Sequence, residues 1–103
     1  MDIEDTLTCI RIWSIEKGLG GVNGKASKET QYNKLVEEVN ELHDAINRNN
    51  EADIIDAIGD CVVVLTILAE RAGLNLEDCV ESAYAEIKGR TGQIIDGTFV
   101  KDQ

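Results

Sequence analysis

Proline is absent from this 103-residue chain, and its aromatic side chains are only Trp13, Tyr32, Tyr84 and Phe99. Without proline nothing interrupts a long helix. A core so short of rings has to be aliphatic, and a single domain of this size buries only about 60–70% of its unfolded surface. Sharing the core with a second copy would ease that shortage. Three cysteines, Cys9, Cys61 and Cys79, form no C-x-x-C pair, which argues against a zinc ribbon or a dithiol redox site and for buried, reduced thiols in a cytoplasmic protein. Basic residues are scarce, 10 against 20 acidic ones, for a net charge of −10. Duplex nucleic acid is excluded as a partner on this ground, because backbone binding needs clustered Lys and Arg. The acidic start MDIEDTLTCIRIW has no signal-peptide character. The apolar run Cys61–Ala69 falls far short of the ~20 residues that span a bilayer. The expectation is one soluble domain, residues 1–103, with no membrane partner.

Helical patterning fills most of the chain. Ile3, Leu7, Ile10 and Trp13 recur at helical spacing and predict a first helix over about 2–17. The stretch KGLGGVNGKASKE, with four glycines, reads as a mobile loop. A second helix is expected from Lys28 to Asn47 and a third from Ala52 to Ala72, ending at Gly73. Asn75 is a candidate N-cap for a fourth that ends near Gly89. Ile94 and Ile95, then Asp96-Gly97, then Thr98, Phe99 and Val100 predict a short hairpin. An isolated hairpin is barely stable, so it is expected to pack on the bundle or on a neighbouring subunit. The third helix is apolar all round from Cys61 to Ala69 apart from Thr66, and such a helix has to be surrounded. The resulting expectation is an all-α, four-helix bundle subunit with a C-terminal β-hairpin, dimerising through its helices.

Between Glu37 and Asp60 lie eight acidic residues and one arginine, Arg48. At ~100° per residue, Leu35, Val39, Leu42 and Ile46 form an apolar stripe about 60° wide. Gln31, Lys34, Glu38 and Glu41 share one flank of it, whereas Glu37 points away. Asp56 and Asp60 stand one turn apart on the third helix. Acidic residues such as Glu4, Glu29, Glu77, Asp78 and Glu81 are expected simply to solvate helix faces. Paired carboxylates beside apolar surface repel one another unless a cation lies between them. Oxygen donors without Cys or His favour Mg²⁺, with Mn²⁺ as an alternative, and Mg²⁺ so held keeps positions open for phosphates.

Q-x-x-K-L-x-E-E-x-x-E-L from Gln31 to Leu42, D-A-I-G-D from Asp56 to Asp60, and the ending AYAEIKGRTGQIIDGTFVK together resemble the MazG-like all-α nucleoside triphosphate pyrophosphohydrolases, in the short form found in phages and mobile elements. The resemblance covers Ile10 to Lys101. It implies a homodimer or homotetramer and Mg²⁺-dependent cleavage of (d)NTPs to the monophosphate and pyrophosphate, in control of nucleotide pools. Carried over position by position, Glu38, Glu41 and Asp60 would be metal ligands. Many members have a Glu three residues before the aspartate, where this chain has Ala57, and Asp56 is the candidate substitute. Glu41 is the candidate acceptor of the attacking water's proton. For substrate, the resemblance makes Trp13 a base-stacking candidate, Gln31 a reader of a base or ribose edge, and Lys34, Lys88 and Arg90 phosphate contacts. Each has a structural counterpart: Trp13 as core, Lys34 as an i,i+4 partner of Glu38, and Lys88 with Arg90 as cations at a helix C-terminus. Two other readings stay open, a non-catalytic acidic helical binding module and a biosynthetic substrate such as phosphoribosyl-ATP.

Overall fold

The computed structural model describes all residues from Met1 to Gln103. Four helices follow one another: α1 (Ile3–Glu16), α2 (Lys28–Arg48), α3 (Glu51–Arg71) and α4 (Leu76–Ile87). A two-stranded antiparallel hairpin, β1 (Gly92–Ile95) and β2 (Thr98–Lys101), closes the chain. Each helix starts on a side-chain cap that satisfies an otherwise unpaired backbone N–H. Asp2, Ser27, Asn50 and Asn75 accept from the N–H groups of Asp5, Thr30, Asp53 and Asp78. Thr30 returns the favour by accepting from the Ser27 N–H, a reciprocal box.

α2 and α3 form an antiparallel pair joined by Asn49 and Asn50 alone, with Asn49 in the left-handed region at φ 52°. This turn sets the level of every residue across the pair. Positions equally far from it lie side by side, which brings Asp60 level with roughly position 39, between Glu38 and Glu41. Ala45 and Ala57, both buried, keep the two backbones close near the turn. α3 is the central element, with α2, α1 and α4 packed against it. Val64, Thr66, Ile67 and Ala69 make up its buried half, and the Thr66 hydroxyl is satisfied by the Val62 carbonyl at 2.7 Å.

The buried faces differ in phase from the expected stripes. On α2 the seam is Gln31, Glu38 and Ala45, flanked by half-buried Leu35 and Leu42, while Val39 and Ile46 are exposed. On α1 the seam is Leu7 and Ser14, and Ile3 lies open. In both cases apolar residues outnumber the space that one subunit can cover. The glycine-rich stretch after α1 is not a loose loop either: Lys25 and Ala26 donate to the carbonyls of Gly18 and Leu19, and Ala26 is buried. Of the three cysteines only Cys61 is partly covered; Cys9 and Cys79 are exposed.

α4 contributes no buried residue. Its anchor to α1 is Glu77, which accepts two 2.8 Å hydrogen bonds from the Arg11 guanidinium. That bond holds the Glu77 carboxyl below its ordinary range and raises Arg11, so Glu77 is a partner rather than a solvating charge. The hairpin has its expected turn, with Asp96 and Gly97 both at positive φ and Ile94 opposite Phe99. Its side chains are exposed and it does not pack into the bundle. The radius of gyration is 15.9 Å, against about 13 Å for a compact chain of this length. The accessible area of 7597 Å² exceeds the ~5,700 Å² of a compact monomer of equal mass. No helix is long and apolar enough to cross a membrane.

Candidate metal centre

Glu38 and Glu41 stand one turn apart on α2, facing Asp60 on α3, and carboxylate oxygens of the three lie within 4.8 Å of one another. Glu41 and Asp60 are exposed, whereas Glu38 is only 6% exposed. The Oε2 atom of Glu38 is buried with no hydrogen-bond partner. A polar atom in that position is costly unless something completes it. Burial first, and then the charges of Glu41 and Asp60, push the Glu38 carboxyl above the ordinary glutamate range. Lys34 opposes this, with Nζ 3.6 Å from Glu38 Oε1. The neighbouring Cys61 thiol is also pushed up, by burial and then by the charges of Glu38 and Asp60.

An all-oxygen set of three carboxylates, one of them buried and unsatisfied, fits a hard divalent cation. No histidine or thiolate joins the set. The cation would supply the positive charge that Lys34 alone does not provide for three carboxylates.

Two clefts meet at this cluster. One, of about 410 Å³, is lined on its apolar side by Trp13, Leu19, Val63, Val64 and Ile67. Its polar side includes Gln31, Lys34, Glu38 and Asp60. Trp13 is 46% exposed, its ring standing on the cleft wall rather than in a core, and Gln31 is almost wholly buried there. The other cleft, of about 210 Å³, runs toward the α2–α3 turn between Glu41, Asp44, Asp53, Asp56 and Asp60. Asp56 thus shares a groove with two of the clustered carboxylates but stands outside the cluster itself. Ala57, buried in the groove floor, leaves the space that a longer acidic side chain would fill.

Lys88 and Arg90 are not brought to the site within this subunit. Lys88 caps α4, and Arg90 donates to Glu86 at 2.9 Å and lies beside Ile87 and Phe99. Sequence reasoning passed over Leu19, Val63, Val64 and Ile67. The three α3 residues follow Asp60 at spacings of 3, 4 and 7, so helical periodicity could have placed them on its face. Leu19 sits in a loop whose path no periodicity predicts.

The sequence model of the family described as MazG nucleotide pyrophosphohydrolase domain matches residues 26–95. The chain is also similar to an uncharacterised 18.2 kDa protein from the rep–hol intergenic region of Haemophilus phage HP1, at 33% identity over 70 residues. That match takes in 68% of this chain and 41% of the phage protein, so the chain spans less than half of its relative's length. No solved structure matches the chain.

Proposed function

The chain belongs to the MazG nucleotide pyrophosphohydrolase domain family, and from that premise we propose that it is a Mg²⁺-dependent nucleoside triphosphate pyrophosphohydrolase, with Mn²⁺ able to replace Mg²⁺. One observation carries the reading: the unsatisfied buried oxygen of Glu38, beside Glu41 and Asp60, at the foot of a cleft walled by Trp13 and Gln31. Glu38, Glu41 and Asp60 would hold the metal, with Asp56 adding a carboxylate from the adjoining groove. Bound there, the metal would neutralise phosphate oxygens and make a coordinated water more acidic.

The protein's own groups would do the rest. Trp13 stacks on the base, Gln31 hydrogen-bonds a base or ribose edge, and Lys34 turns from Glu38 to a phosphate oxygen. Glu41, the exposed member of the α2 pair, accepts the proton of the attacking water. Water adds to the α-phosphorus, the bond from that phosphorus to the bridging oxygen breaks, and pyrophosphate leaves with its electron pair. Nucleoside monophosphate remains. Such an activity would trim nucleotide pools in the cytoplasm.

The assembly we infer is a homodimer or homotetramer. The surplus of roughly 1,900 Å² over a compact monomer matches the area each subunit gives up in an obligate interface. Apolar Val80, Tyr84 and Ile87 on α4, with Ile94 and Phe99 on the hairpin, all lie exposed and are the natural surface for a second copy. Lys88 and Arg90, on the same segment, enter the phosphate-binding set only as contributions from that copy.

Product analysis over a panel of (d)NTPs, with and without Mg²⁺, tests the activity. Pyrophosphate and the monophosphate are expected, with Mg²⁺ only. Release of orthophosphate and a diphosphate would contradict the proposed bond cleavage. Stabilisation by Mg²⁺ with no turnover of any nucleotide would instead identify a non-catalytic binding module.

A further inference from the structure

The glycine-rich turn between α1 and α2 is fastened to the far end of the helix that carries Asp60. Arg71, the last residue of α3, lies about 16 Å along the axis from Asp60. Its Nη1 donates 2.8 Å to the Gly21 carbonyl and pairs with Glu70 Oε1 at 3.1 Å. On the other side, the Ser14 carbonyl accepts from the N–H groups of both Leu19 and Gly20, at 2.9 and 3.2 Å. Ser14 is 2% exposed and its hydroxyl has no partner. Gly20 is wedged between these two holds. A Cβ there would lie 2.7 Å from Glu70 Oε1 and 2.8 Å from Ser14 Oγ, so a larger residue would have to push the Glu70 carboxylate and the Ser14 hydroxyl aside.

The residues next to these fastenings are the cleft wall. Trp13 precedes Ser14 and Leu19 precedes Gly20, and both side chains line the 410 Å³ cleft opposite Gln31 and Lys34. We propose that Arg71, held in place by Glu70, is a positioning residue: by clipping Gly21 to the end of α3, it fixes Trp13 and Leu19 as the apolar wall against which the nucleotide's base lies. Only the identity of that occupant rests on the pyrophosphohydrolase reading. Gly18 and Gly21 hold positive φ angles of 84° and 82°, in a segment with wide backbone freedom once released. The clip removes that freedom before the ligand arrives, and prior ordering of this kind appears as affinity. It does not touch the carboxylates, so the chemical step should be indifferent to it.

Trp13 is the chain's one tryptophan, and its fluorescence reports on the wall directly. The test compares wild type with Arg71→Ala, Arg71→Lys and Gly20→Ala in the full chain. Acrylamide quenching of Trp13 is expected to rise about twofold in Arg71→Ala and Gly20→Ala, with KM for dNTPs up about tenfold. kcat and Mn²⁺ affinity should stay near wild type, and Arg71→Lys, which keeps one donor for the Gly21 carbonyl, should restore most of both losses. Unchanged quenching and KM in Arg71→Ala would overturn the proposal. So would a joint fall of kcat and Mn²⁺ affinity with the rise in quenching, the pattern of a loosened fold. If wild type turns over no nucleotide, the enzymatic reading falls, and quenching together with Mn²⁺ affinity still decides the clip.

Discussion

At the level of single residues, the chemistry turns on a glutamate that the fold buries among other carboxylates. Burial and the charges of Glu41 and Asp60 raise the Glu38 pKa, so the native state keeps this proton at a pH where the unfolded chain has lost it. Stability of the metal-free protein therefore falls as pH rises from the ordinary glutamate range through the raised value. Glu38→Gln abolishes that loss. In the presence of a chelator the variant is expected to melt a few degrees above wild type at about pH 8 and level with it at about pH 4. Adding Mg²⁺ should reverse the order, raising wild type and leaving the variant where it was. A variant that melts below wild type in chelator at about pH 8 would mean that Glu38 stabilises the fold without a metal. Much of this was legible in the sequence, because Glu38, Glu41 and Asp60 stand out as acids at helical spacing with scarcely a basic neighbour. The depth of Glu38 was not. A periodicity count centres the buried face on its apolar members, Leu35, Val39, Leu42 and Ile46, whereas the structure turns α2 toward Gln31 and Glu38.

At the level of elements, the α2–α3 pair is the part that the chain specifies most strongly. Reciprocal capping at Ser27 and the two-asparagine turn fix where each helix begins, and the short turn then sets Asp60 between the α2 carboxylates. The hairpin was equally readable, since Asp96-Gly97 meets the demand for two successive positive φ angles. The packing of α4 and the hairpin was not, because their apolar side chains find no cover within the subunit. The turn after α1 was misjudged for a different reason: besides its own backbone hydrogen bonds it is held by Arg71, 50 residues from Gly21, and no local pattern announces that contact. The uncovered α4 leads to a prediction about assembly. Light scattering should give wild type at least twice the subunit mass of 11.3 kDa. Ile87→Asp should shift it to a smaller species, because a charge buried in an apolar contact is strongly disfavoured. A monodisperse wild-type monomer would rule out the shared core.

For the whole molecule, the proposed function asks an acidic chain of net charge −10 to handle a polyanion. Divalent cations held by carboxylates from two helices would resolve this, beside a cleft wall fixed separately by the glycine turn. Shape agrees with composition here: few aromatic residues, little buried surface and a radius of 15.9 Å are what the proposed sharing of the core with another copy would produce. The claim on which everything else depends is that Glu38, Glu41 and Asp60 act as one cation site. Titration of the intact protein with Mn²⁺, followed by electron paramagnetic resonance, measures that claim directly. Wild type is expected to bind, and Glu38→Gln and Asp60→Asn each to weaken binding by at least about tenfold. Mn²⁺ affinity equal to wild type in both variants would contradict the account.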